Sequence, residues 1–114
     1  MLVTTKLETE FENALRGAAR ECIHKYRYRP TYFLSMLAER GGVTTARMLL
    51  GKSAPSSGFT KLVVDYGRPD LTMEHFVATP KYAPLFEPDE IAKARRWLGN
   101  QSIYSAAVGL APAP

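Results

Sequence analysis

The stretch from Gly67 to Leu98, GRPDLTMEHFVATPKYAPLFEPDEIAKARRWL, leaves the backbone few choices. Thr72 is placed to cap a helix from Met73, because its side-chain oxygen accepts an orphan backbone N–H. Pro80 and Pro84 then forbid a continuous helix and force a compact turn. Pro88 suits a first helical position, where a missing N–H costs nothing, and Asp89 and Glu90 complement the positive end of the helix dipole. Arg68 and Asp70 flank Pro69, with Asp70 placed to satisfy donors in the turn before the Thr72 cap. Tyr82, held between prolines, is expected to cover the adjacent helices. These are structural signals, and no catalytic constellation lies among them.

Upstream, Thr5 and Glu8 form a capping-box pattern at the start of a helix over residues 5–27. Leu7, Phe11, Leu15, Ala18, Cys22 and Tyr26 recur at three- and four-residue spacing, which makes one apolar stripe. Arg16, Arg20, His24 and Arg27 fall on nearly the opposite side and are expected to face solvent. Cys22, inside the stripe, reads as a small core residue. Pro30 halts this helix, and a second runs from Thr31 to Arg40 until Gly41-Gly42. A third is expected over 44–50, with Thr44 as its cap. Lys52 to Gly58 reads as a polar loop. Phe59 to Tyr66 follows as a helix, with its Val63-Val64 pair leaving a strand as the alternative. The Pro88 helix is expected to end near Leu98.

Taken together, the pattern predicts an all-α fold: a compact single-domain bundle of five to six short helices over 1–99, with a loose, partly disordered tail over 100–114. The expected core is Phe11, Leu15, Phe33, Leu37, Leu49, Phe59, Leu62, Phe76, Phe86, Ile91 and Leu98. A chain of 114 residues is long enough to bury such a core without disulfides or metals. No apolar run reaches the roughly 20 residues that span a bilayer. The acidic N-terminus lacks the apolar core of a signal peptide, and the lone Cys22 fits a reducing compartment, so a cytoplasmic location is expected.

The segment from Gly67 onward, with Gly58, Phe59, Thr60 and Leu62 before it, resembles a family of small, mostly uncharacterised bacterial proteins. The pattern is GFTxL, then RxDLTxE, then PKYxxLF, then an acidic helix start and a closing AxxxL. The matching residues continue with Arg68, Asp70, Leu71, Thr72, Glu74, Pro80, Lys81, Tyr82, Leu85, Phe86, Glu90, Ala94 and Leu98. Tyr28 to Leu50 is similar to the same family's tyrosine-proline helix and Gly-Gly break. The resemblance implies a bacterial or phage-associated accessory protein, in some cases near nuclease or defence genes. It carries no catalytic residues.

Charge is distributed unevenly. Residues 1–62 hold ten Lys and Arg against five Glu, a balance of +5, whereas residues 63–114 hold five against six, a balance of −1. Such an excess is the footprint expected of a site for a polyanion or an acidic protein. The alternating YRYRP run, Tyr26 to Pro30, adds rings and guanidinium groups that suit phosphates and unstacked bases, with Tyr28 and Tyr32 as its exposed rings. Residues 33–50 also align with a helix-turn-helix, which would present Thr44, Thr45 and Arg47 outward with Lys52 just beyond. The candidate contacts are therefore Arg16, Arg20, Arg27, Tyr28, Arg29, Thr45, Arg47 and Lys52.

Enzyme chemistry finds no support in the residues. Glu21-x-x-His24 has metal-pair spacing but no second such motif beside it. Neither Cys22 nor either histidine has partners arranged for nucleophilic attack, and P-loop, GxGxxG and zinc spacings are missing. The expectation is a non-enzymatic module without cofactor or metal, binding nucleic acid through its basic N-terminal face. The alternative is a protein-interaction module, an adaptor or inhibitor docking on a larger nuclease or defence-type complex, with Ile103, Tyr104, Val108 and Leu110 of the tail as its apolar contacts.

Overall fold

A computed structural model describes residues 5–107, and among them every regular element is helical. Helix α1 (Lys6–Tyr26) starts as its capping box dictates: Glu8 N–H donates to Thr5 Oγ1 at 3.1 Å, and Thr5 N–H donates to Glu8 Oε1 at 2.8 Å. Its apolar stripe buries Phe11, Leu15, Ala18 and Cys22. Burial pushes the Cys22 thiol above its ordinary range, with the charge of Glu21 adding to the effect, so it stays an unreactive core group. The helix closes on Arg27 in the left-handed region, φ 54°, the one non-glycine residue with positive φ among the described residues.

Helix α2 (Thr31–Arg40) occupies the span that Pro30 and Gly41 define, and Gly41 takes the positive φ, 80°, that the turn requires. Helix α3 (Gly42–Leu50) starts two residues before Thr44, which therefore is not its cap. The capping oxygen comes from another helix. Glu12 Oε1 of α1 accepts the Gly42 N–H at 3.1 Å. A Cβ on Gly42 would stand 3.0 Å from Glu12 Cα and 3.3 Å from the Phe11 ring, so the two backbones cross closely at this point. Thr45, Ala46 and Leu50 turn inward, while Leu49, expected in the core, is half-buried.

Helix α4 begins at Ser57, capped by the Ser56 hydroxyl, and widens into a π-helical turn over Lys61–Asp65. Val63-Val64 is thus helical, and Leu62 and Val63 are buried. A 3₁₀ turn over Pro69–Leu71 leads into α5 (Met73–Ala78). Thr72 caps α5, accepting from His75 N–H at 3.2 Å while its own hydroxyl donates to the Pro69 carbonyl at 2.7 Å. Pro80–Leu85 forms a second 3₁₀ segment, and α6 (Pro88–Ala107) completes the fold. The last helix thus continues past Leu98, and residues 108–114 of the expected tail, with Val108 and Leu110, lie outside the described residues.

One apolar core joins these elements. Phe11, fully buried, meets Tyr82 and Phe86 edge-on, each ring centroid 5.2 Å away. Leu37, Leu50, Phe59, Val77, Ala94 and Trp97 extend the same cluster, and Phe33, Leu49, Phe76, Ile91 and Leu98 pack on it half-buried. No helix among the described residues is long and apolar enough to cross a membrane.

Candidate functional site

Several cations of this chain are committed to neighbours. Arg16 forks onto Glu12 Oε2, at 3.1 and 2.8 Å. Arg47 reaches the Leu85 carbonyl at 3.1 Å and Glu90 at 3.4 Å, so it binds α3 to α6 rather than pointing at a partner. Lys81 pairs with Glu10 at 2.7 Å. Arg68 donates to both oxygens of Asp70 at 2.9 Å, to the Tyr26 hydroxyl at 2.9 Å and to Glu21 at 2.7 Å. Its guanidinium holds Asp70 below the usual carboxylate range and spends Glu21, the acid of the Glu21-x-x-His24 pair, on structure.

The end of α1 is different. Arg20, His24, Lys25, Arg27 and Arg29 are all exposed, and none has an acidic partner among the described residues. The four Lys and Arg among them lie within ten residues and repel one another unless an anion sits among them. Arg27 also holds a left-handed backbone that costs a non-glycine residue about 1 kcal/mol. This conformation turns the chain from α1 towards α2. Tyr26 stacks on Tyr66 with centroids 4.5 Å apart, and Tyr28 tilts against the same ring at 6.1 Å. Lys61 lies over both Tyr28 and Tyr66. Tyr28 is therefore half-buried packing rather than a free ring. The exposed aromatic is Tyr32, 72% accessible in the first turn of α2.

Two other expected contacts separate from this patch. Thr45 is 0% exposed, and its hydroxyl is buried without a hydrogen-bond partner among the described residues. It cannot face a groove, because it lies on the face of α3 that packs inward with Ala46 and Leu50. The helix-turn-helix alignment thus loses one of its outward residues to the core. Lys52 is exposed in the loop after α3, and its carbonyl accepts from Lys93 at 2.7 Å.

Beneath the basic turn lies a cavity of about 180 Å³. Its buried walls come from α1, α2, α4 and the entry to α5: Leu15, Ala19, Cys22, Met36, Phe59, Leu62, Leu71 and Met73 among them. Its exposed liners, Arg29, Thr31, Tyr32 and Ser57, mark the mouth. One acid stands in this apolar wall. Glu74 is 3% exposed and makes no hydrogen bond or ion pair with another residue among those described. Desolvation raises its pKa to about 7, opposed only by its own backbone N–H in the first turn of α5.

Residue patterns pointed to the basic turn but not to the cavity. Glu74 carried one signal: it precedes the fully buried Val77 by three residues and so shares its helix face. The site combines exposed cations, an exposed ring and an apolar recess with one carboxyl that has no partner on another described residue. It can hold an anion outside and a flat, N–H-bearing group inside. Among known proteins, no family model, curated protein or solved structure matches this chain.

Proposed function

We propose that this chain is a non-enzymatic binding module for a nucleic-acid backbone, working through the end of α1 and the turn into α2. One clustering carries the reading, because Arg40, Lys52, Arg95 and Arg96 also lack acidic partners among the described residues but four such cations stand within ten residues only here. Arg16, Arg47, Arg68 and Lys81 have acidic partners, whereas Arg20, Lys25, Arg27 and Arg29 have none among the described residues. Phosphates would supply the missing negative charge, and Tyr32 offers a stacking surface beside them. Compared with the contacts expected from sequence, Arg20, Arg27 and Arg29 carry the interface. Arg16, Thr45 and Arg47 do not, and Lys52 is peripheral.

The test is a titration with single-stranded and duplex oligonucleotides at several salt concentrations. Binding should weaken with salt, with a log–log slope of about 0.7 per phosphate for single strands and about 0.9 for duplex DNA. Arg27→Glu with Arg29→Glu should abolish it without unfolding the protein. Failure to bind any nucleic acid even at low salt would reject the proposal. In that event exposed Tyr32 and Met48 favour the protein-interaction reading, because exposed aromatic and Arg side chains also make protein hot spots.

A further inference from the structure

We propose that the cavity under the basic turn receives a single unstacked base of the bound strand, guanine by preference, and that Glu74 reads it. This inference rests on the nucleic-acid reading above. Size allows it: an engineered apolar cavity of about 150 Å³ holds a benzene ring, and this one reaches about 180 Å³. Position favours it, since Arg29 and Tyr32 line the mouth and a base hangs one sugar away from the phosphate that Arg29 would hold. The apolar walls, including Met36 and Phe59, suit the faces of a flat ring.

The choice of base follows from Glu74. Its side chain is buried in the wall and has no hydrogen-bond partner on another residue among those described, so it keeps acceptor capacity for a group that enters the cavity. Guanine offers two adjacent donors on one edge, the ring N1–H and the exocyclic amino group. Above about pH 7, where Glu74 is ionised, both oxygens of its carboxylate can accept them side by side. Thymine and uracil present a single N–H between two carbonyls, which would face the carboxylate oxygens unfavourably. Adenine and cytosine present one amino group beside a bare ring nitrogen. Flipped bases are generally read in this way, on their Watson–Crick edge within a pocket.

The probe is a short single-stranded oligothymidine carrying one central guanine, compared with the same strand carrying adenine, cytosine or an abasic site there. Wild-type protein should bind the guanine strand at least about tenfold more tightly than the abasic one, the scale of one two-pronged base contact. Glu74→Gln should erase most of that preference and leave affinity for the abasic strand unchanged. Ala19→Leu, which fills the recess from α1, should bring every strand to the abasic level, and it serves should the Glu74 variant fold poorly. Arg27→Glu with Arg29→Glu should weaken all strands together. Equal wild-type affinity for all four strands would overturn the base pocket while leaving the backbone reading intact. Binding of none of them at low salt would remove both.

Discussion

The Gly67–Phe86 segment and the turn joining α1 to α2 have similar raw materials and opposite arrangements. Both combine Arg, Tyr and Pro: Arg68, Tyr82 and three prolines in the first, Tyr26 to Pro30 in the second. In the first, Arg68 satisfies Glu21, Asp70 and Tyr26, Thr72 serves as both cap donor and acceptor, Lys81 finds Glu10, and Tyr82 lies against Phe11. In the second, Arg20, Lys25, Arg27 and Arg29 find no acid among the described residues; the first segment leaves one group open, Glu74, and it faces the cavity beneath that turn. A segment that consumes its own polar groups holds the fold together. One that leaves them open retains the capacity to bind something else.

This contrast can be broken by substitution. The largest effect belongs to Phe11, the ring on which Tyr82 and Phe86 rest: Phe11→Ala should cost about 4 kcal/mol, measured by denaturant unfolding. Next comes Glu74, through pH. Its pKa in the fold is about 7 against an ordinary 4.5, so between these values the folded chain holds a proton that the unfolded chain has lost. Stability should therefore fall as pH rises through that window, by up to about 3 kcal/mol in all. Glu74→Gln should match wild type near pH 4 and exceed it by that amount near pH 8. Two other titratable side chains lining the cavity, Cys22 and Tyr28, do not confuse the window, because burial raises both further above it. A flat difference between the two proteins across pH would show that Glu74 is not buried alone.

Smaller effects separate structure from binding. Thr72→Ala removes a helix cap and should lower stability by about 1 kcal/mol, with nucleic-acid affinity of the folded protein unchanged. Thr45→Val replaces an unpaired buried hydroxyl by a methyl group and should raise stability by about 1 kcal/mol, again without touching affinity. Lost affinity in Thr45→Val would restore the helix-turn-helix geometry that the buried side chain excludes.

Local chemistry announced most of the helical frame. Pro30 and Gly41 bound α2, Thr5 with Glu8 opened α1, and Thr72 and Pro88 opened the last two helices, because caps and prolines act on their immediate neighbours. What escaped depends on residues far apart in the chain. The cap of α3 is Glu12, thirty positions upstream, and Thr45 is turned inward by the packing of α3 against the other helices. The π-helical register of Lys61–Asp65 answers to the packing of Leu62 and Val63, which no local pattern encodes. Arg16 and Arg47 looked available because their acids, Glu12 and Glu90, become neighbours only in a helix or across the fold. A cavity is a gap between several helices, so no single stretch of sequence records it.

The central claim is that unpaired position, rather than overall charge, makes the binding surface. Two triple variants that remove the same charge test it directly, one lacking Arg20, Arg27 and Arg29, the other lacking Arg16, Arg47 and Lys81, all replaced by Ala. The measurement is the salt dependence of binding to a single-stranded oligonucleotide. Loss of the three unpaired cations should lower the log–log slope by about 2, whereas loss of the three paired ones should leave it at the wild-type value. Equal slopes for the two variants would contradict the account.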